Sequence, residues 1–245
     1  MTSTIYESKR IGLILPTYDG QSYNRIAVVN FALQFPESKS VEIASSALGH
    51  CFNTGYQTLL KLVDKGELDY IMMLHADIVP VQASWGEILI QEMLTTKASV
   101  LSVVSPIKSH AGLSSTGVMK KDEADSNMWN PIRFTMKEVY KLPETFTHPR
   151  LIVNTGCMII DARQQWAKDL VFDLRCFVHK ETGQSWYVPE DWMMSKVCWQ
   201  AGGTVWATRK VLLEHRGVMG FPNTQPWGTM ETEGALEVYN NEGAN

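Results

Sequence analysis

Three short apolar runs, at residues 11–15 (IGLIL), 69–74 (DYIMML) and 99–104 (SVLSVV), constrain the fold of this chain more than any other feature. They are too short for buried helices and lack the alternation of a strand with one wet face. They therefore read as strands covered on both faces. Helix-patterned stretches separate them. Residues 23–34 carry Ile26, Val29, Ala32 and Leu33 at near-helical spacing and stop before Pro36. Residues 51–65 carry Phe52, Tyr56, Leu59, Leu60 and Val63 and end at Gly66. Residues 84–94 open on Ser84 with Glu87 three positions later, a capping-box pattern. With a short strand at 40–45 the order becomes β-α-β-α-β-α-β, which predicts an α/β fold on a parallel sheet.

Beyond Pro106 the pattern changes. Residues 108–149 are rich in Ser, Lys, Asp and Asn, and the alternation at 132–139 predicts a β-hairpin insertion. Residues 151–161 read as a strand interrupted by Asn154-Thr155-Gly156. Residues 190–201 read as a helix closed by Gly202-Gly203, and 204–207 and 211–214 as short strands. The stretch from Gly217 onward, rich in small and acidic residues, is expected to be a loop or lid.

Composition excludes several classes. The chain has 245 residues, 44% of them hydrophobic, and a formal charge of −4 from 22 basic and 26 acidic residues. That balance gives no reason to expect non-specific binding to nucleic acid or to a membrane surface. No apolar run approaches the ~20 residues of a membrane span, so no membrane anchor is expected. The polar N-terminus lacks a signal-peptide core. Cys51, Cys157, Cys176 and Cys198 are far apart and form no CxxC pair, which suggests reduced thiols and a cytoplasmic setting.

Four polar clusters fall at strand ends or in loops, where α/β folds place their ligands. Pro16, Thr17 and Asp19 follow the first strand. His75, Ala76 and Asp77 follow the second buried run, where an acid calls for a cation or donors. Glu190 and Asp191 open a helix, where a general base facing a hydroxyl is well placed. His215 and Arg216 follow a short strand and suit a metal ion and a phosphate. Each also has a plain structural reading: a turn, a solvated loop, acids favoured by the helix dipole, and a structural histidine.

The succession as a whole resembles the GT-A glycosyltransferases, in particular family 2-like members, over about residues 10–217. The resemblance implies a single domain, 1–245, with a GT-A-type (Rossmann-like), mostly parallel central sheet flanked by helices and carrying the hairpin insertion. Residues 1–107 would form a nucleotide-sugar half, 108–217 an acceptor half and 218–245 a tail or lid. It implies transfer of a sugar from a nucleotide-diphosphate sugar, UDP-sugars favoured, to a hydroxyl acceptor, with Mn²⁺ or Mg²⁺. Pro16, Thr17, Asp19 and Asn53 would contact the nucleotide. His75-Ala76-Asp77 matches the DxD loop with its first acid replaced. His75 and Ala76 would then bind donor, and Asp77 with His215 would bind metal. Asn154 and Gly156 would line the donor sugar. Asp191, beside Glu190, would be the base, and Arg216 or Lys210 would add positive charge at the diphosphate.

A sugar nucleotidyltransferase is the competing enzyme class, but PTYDG lacks the basic residue of its opening loop. No G-x-G-x-x-G follows a strand, which disfavours a dehydrogenase. A non-catalytic nucleotide- or sugar-binding module is the non-enzyme alternative. The acceptor stays open among a small molecule, a glycan and a hydroxylated base in nucleic acid. Trp186 and Trp227, in apparent loops, are candidate acceptor platforms, whereas Trp199 and Trp206 have core periodicity. Lys108, Lys120, Lys121, Arg133, Lys137 and Lys141 form a basic cluster in the insertion.

Overall fold

The computed structural model describes residues 10–121, 131–178 and 181–243. Trp129 lies outside the described residues, as does the side chain of Trp186. The first half runs β1 (Ile11–Thr17), α1 (Arg25–Gln34), β2 (Lys39–Ala44), α2 (Leu48–Asp64), β3 (Tyr70–Leu74), β4 (Ile78–Pro80), α3 (Trp85–Thr96) and β5 (Val100–Val103). Every residue of β3 and β5 is buried, as the unbroken apolar sequence of β3 requires, and in β5 the hydroxyl of Ser102 donates to the Asn154 carbonyl at 2.7 Å. The stripe Cys51, Phe52, Tyr56, Leu59, Leu60 and Val63 turns α2 onto the sheet. Gly55 permits the close approach, because a Cβ there would lie 2.6 Å from Ile14 Cγ2.

The second half adds β6 (Leu113–Val118), β7 (Ile132–Thr135), α4 (Met136–Val139), β8 (Thr145–Thr147), β9 (Leu151–Ile152), β10 (Cys157–Asp161), α5 (Gln165–Lys168), β11 (Arg175–Val178), β12 (Ser185–Val188), α6 (Glu190–Gln200), β13 (Val205–Thr208), β14 (Leu213–Arg216), β15 (Gly220–Pro222) and α7 (Ala235–Glu242). The main sheet has seven strands in the order β2-β1-β3-β10-β5-β13-β8. β1 is parallel to β2 and β3, and β5 to β13, while β10 and β8 run against their neighbours. The result is an α/β fold on a large, mostly parallel sheet flanked by helices, consistent with a Rossmann-like GT-A fold. One face packs against α2 together with Phe134, Phe146 and Ala235. The other packs against α1 and α3 through Phe31, Trp85 and Leu89.

Several expectations need correction, although the mostly parallel sheet is as expected, with β10 one of its two antiparallel strands. Gly156 accepts the His75 N–H at 2.8 Å, so β10 starts at the far end of β3 and must run back along it. The buried face of α1 is Ala27 and Phe31, whereas Ile26, Val29 and Leu33 face solvent. The ring of Phe31 decides the orientation, stacking on Trp85 at 5.4 Å and meeting Phe35 at 5.0 Å. Ser84 occupies the N-cap position of α3 without a side-chain capping bond. A complete capping box forms instead at α4, between Thr135 and Glu138, so the alternation at 132–139 ends in a helical turn. The hairpin expectation holds for β6 and β7, which pair antiparallel.

The expected loop or lid at the C-terminus is instead packed structure. β15 pairs with β14, and Ala235 and Val238 of α7 enter the core. Fully buried Asn223 fastens this segment. Its Oδ1 accepts the Leu213 N–H at 2.8 Å, and its Nδ2 donates to Val104 and Val211 carbonyls at 3.0 and 3.1 Å. Asn223→Ala would leave those backbone groups buried without partners. It is expected to lower stability by about 2–5 kcal/mol, read as the urea midpoint. A midpoint unchanged from the parent would mean that the segment is detachable.

Candidate functional site

Parallel pairing of β1 with β3 sends the chain out of both strands at one edge of the sheet. The loops are tied together there. Tyr23 N–H donates to the Ala76 carbonyl at 2.8 Å, Ala76 N–H to Pro16 at 3.3 Å, and Asn24 Nδ2 to the His75 carbonyl at 2.7 Å. β14 then pairs with β4, placing His215 opposite Ile78, and Arg216 N–H donates to the Asp77 carbonyl at 2.7 Å. A cavity of about 440 Å³ results, lined by Pro16, Thr17, Asp19, His75, Ala76, Asp77, Lys108, Arg216 and Gly217. A more apolar cavity of about 350 Å³, bounded by Leu15, Asn24, Val28, Glu42 and Leu74, shares Thr17 and Ala76 with it.

Within the first loop, Thr17 Oγ1 accepts the Gly20 N–H at 2.8 Å and Asp19 Oδ1 accepts the Gln21 N–H at 3.0 Å. These bonds shape the turn while leaving Asp19 exposed. His75 Nε2 lies 3.2 Å from Thr155 Oγ1, and its ring centroid lies 5.0 Å from that of Phe52. Burial holds the imidazole down to about 4, against the opposing pull of Asp77, so the ring is neutral at pH 7.

Asp77 is the charged centre of the site. Its Oδ2 accepts from Lys108 Nζ at 2.5 Å and lies 3.2 Å from His215 Nε2. Burial alone would raise its proton affinity, but the hydrogen bonds from His215 and Lys108 outweigh that and hold it well below the usual carboxylate range. His215 Nδ1 meets the Pro106 carbonyl at 2.7 Å. The His215 ring is thus held between the Pro106 carbonyl and the Asp77 carboxylate.

The expected Mn²⁺ or Mg²⁺ finds a poor donor set. Among the described residues Asp77 is the carboxylate bonded to His215, and a lysine ammonium already sits on it. Nε2 of His75 faces Thr155. Among the described residues no group of three or more His, Cys, Asp and Glu side chains is placed to hold a metal ion. As arranged, these residues do not fit a divalent cation.

Asp191 and Glu190 form the first turn of α6 and do not line the 440 Å³ cavity. Asp191 Oδ1 accepts the Trp192 N–H at 2.8 Å. Burial, then the adjacent charge of Glu190, pushes Asp191 up to about 7, against the Trp192 N–H and the Arg133 charge. Burial raises Glu190 as well. Arg133, on β7, lies 4.6 Å over the Trp192 ring. Ser195 links the α6 turn to the cavity wall: its Oγ donates to the Asp191 carbonyl at 3.2 Å and accepts the Val153 N–H at 3.1 Å. Two residues further on, Thr155 reaches His75.

Other expected site residues are placed differently. Asn53 donates to the Gly49 and Phe172 carbonyls at 2.8 and 2.9 Å and accepts the Phe172 N–H at 2.9 Å, away from the cavity. Buried Asn154 donates to the Val103 carbonyl at 3.0 Å and accepts the Gly156 N–H at 2.9 Å, so Asn154 and Gly156 form a turn behind His75. Lys210 pairs with Glu92 at 2.5 Å, whereas Arg216 reaches the cavity rim while paired to Glu214 at 2.7 Å. Trp227 packs on Phe221 and donates to the Pro222 carbonyl at 2.7 Å, a structural role. Trp199 and Trp206 pack against the core, as their periodicity predicted.

The basic cluster of the insertion is dispersed. Lys108 meets Asp77, Lys137 pairs with Glu231, Arg133 covers Trp192, and Lys120 and Lys121 line a hollow with Glu233 and Glu237. Sequence reasoning missed Lys108 and Thr155 as site residues. Thr155 sat inside a motif already singled out, whereas nothing local marks Lys108 as the partner of Asp77.

No protein-family model matches the chain, and no curated protein sequence matches it. Among solved structures, A197 from STIV matches with a TM-score of 0.50 at 12% identity, over 85% of this chain and 86% of that one. HddC from Yersinia pseudotuberculosis matches with a TM-score of 0.30 at 11% identity, over 78% and 79%. The likeness to A197 concerns the fold, and no helix of the described residues is long and apolar enough to cross a membrane.

Proposed function

We propose that this protein transfers a glycosyl group from a nucleoside-diphosphate sugar, a UDP-sugar favoured, to a hydroxyl acceptor. The observation that carries this reading is the pair of adjacent cavities at the strand ends, which share Thr17 and Ala76. The more apolar part, under Val28 and beside Asn24 and Glu42, suits a nucleoside. The part past Thr17 and Ala76 ends at Lys108 and Arg216, cations paired to Asp77 and Glu214 whose remaining N–H donors suit a diphosphate. The backbone carbonyl of Asp191 connects to His75 through three hydrogen bonds, by way of Ser195 and the 153–156 turn.

In the reaction, the acceptor hydroxyl attacks the anomeric carbon and gives its proton to an Asp191 oxygen. The bond from that carbon to the diphosphate oxygen breaks, and the nucleoside diphosphate leaves with the electron pair. A carboxyl group held near 7 is matched to taking a proton at neutral pH. Neutral His75 adds no charge beside the donor and orients through Thr155. Arg216 contributes positive charge where the leaving group gathers negative charge.

A thermal-shift series with UDP-glucose, UDP-N-acetylglucosamine and GDP-mannose, with NAD and ATP as controls, tests the donor class. Stabilisation by a nucleotide sugar and not by the controls is expected, and silence toward all nucleotide sugars would refute the reading. Asp191→Asn is expected to reduce kcat by about 10²–10⁴ with donor Kd within about twofold of the parent. Undiminished turnover would remove Asp191 as base.

Activity should rise with pH and level off above about 7 as Asp191 ionises. Stability should move the other way. A carboxyl whose folded value exceeds its unfolded one binds more protons when folded, so it stabilises below the unfolded value of 3.8 and loses that contribution as pH rises through about 7. Asp191→Asn should therefore melt higher than the parent at pH 8. A lower melting temperature there would show that the carboxylate is structurally stabilised instead.

A further inference from the structure

Resting on this reading of the cavity, we propose that Lys108 is the built-in cation for the donor diphosphate, so that donor binding requires no divalent ion. Three observations lead there. Lys108 Nζ sits 2.5 Å from Asp77 Oδ2, the carboxylate that a metal-dependent site would need for its ion. Both side chains stay accessible from the cavity, at 37% and 33% exposure. An ammonium has three donors. With one directed at Asp77, two remain for phosphate oxygens, as a bound ion held by one carboxylate keeps positions free for its substrate.

The third observation is how the lysine is held. Its stem lies across Gly217, where a Cβ would stand 3.0 Å from Lys108 Cδ and 3.6 Å from Cε. The bare backbone of Gly217, immediately after Arg216, lets the long side chain run along the cavity floor. His215 supports the arrangement from the opposite side, bonded to Asp77 and to the Pro106 carbonyl. Asp77 and Gly217 are thus positioning residues for Lys108, and Arg216 supplies a second positive charge at the rim. The replacement of the first acid of a DxD loop by His75 is consistent with this arrangement. A lysine needs one carboxylate to fix it, whereas a hard divalent ion favours several oxygen ligands.

Calorimetric titration of UDP and of GDP into the full chain, in EDTA and in Mn²⁺, tests the assignment. Binding in EDTA within about threefold of that in Mn²⁺ is expected. Lys108→Met should weaken it by about 10–100-fold, the scale of a charge-assisted hydrogen bond. Lys108→Arg should restore most of the affinity, and Gly217→Ala should weaken binding by displacing the lysine. An unchanged melting temperature for Lys108→Met would show that the fold is intact. If binding appears only with Mn²⁺, or if Lys108→Met in EDTA binds within twofold of the parent, the Lys108 assignment is overturned while the glycosyl-transfer reading stands. If neither nucleotide binds under either condition, both fall.

Discussion

The organisation of this protein depends on β3 having no exposed face. Tyr70–Leu74 lie between β1 and β10 with apolar layers above and below. The chain cannot present a polar group until it leaves the strand, and the first residue to do so is His75. Two residues later comes Asp77, at the edge where β1 also ends. A carboxylate beside so apolar a strand must be met by donors, and the fold delivers two from far along the sequence, Lys108 and His215. The cavity is the space left around that neutralised charge. Both its placement and its electrostatics follow from the burial of a single strand.

The elements whose cause is local were legible in the sequence. The runs at 11–15, 69–74 and 99–104 became buried strands, and the stripe from Cys51 to Val63 became the inward face of α2. Pro16, Thr17, Asp19, His75, Ala76, Asp77 and Arg216 do meet at one cavity. What escaped depends on distant partners. Nothing within 151–161 announces that β10 runs antiparallel between β3 and β5. The outward face of α1 was misassigned because Ile26, Val29 and Leu33 are as apolar as a core stripe, and the contact of Phe31 with Trp85 belongs to another helix. The tail looked mobile by composition, yet Asn223 ties it to Val104 through a bond spanning 119 positions.

The same distinction separates the polar residues that face the cavity from those that build its frame. Asn53, Asn154 and Lys210 are the residue types a ligand site uses, but each satisfies a buried backbone group or a buried acid instead. Composition cannot make that separation, because an amide that caps a loop and an amide that binds a ribose have the same chemistry. Lys108 is the converse case. By sequence it belonged to a diffuse basic stretch, and by position it is the cation nearest to Asp77.

Two carboxylates of this protein are pushed in opposite directions. Asp77, met by His215 and Lys108, is ionised at neutral pH. Asp191, buried next to Glu190, sits where it can take up a proton and release it. The Asp191 value is itself a balance. Burial and Glu190 raise it, while the Trp192 N–H and the Arg133 guanidinium restrain it. Arg133 belongs to β7, in the insertion, and is held there partly by its position over Trp192. The hairpin that interrupts the α/β pattern thus helps set the proton affinity of the group that the α6 turn displays. A carboxyl group that burial alone had raised further would remain protonated at neutral pH.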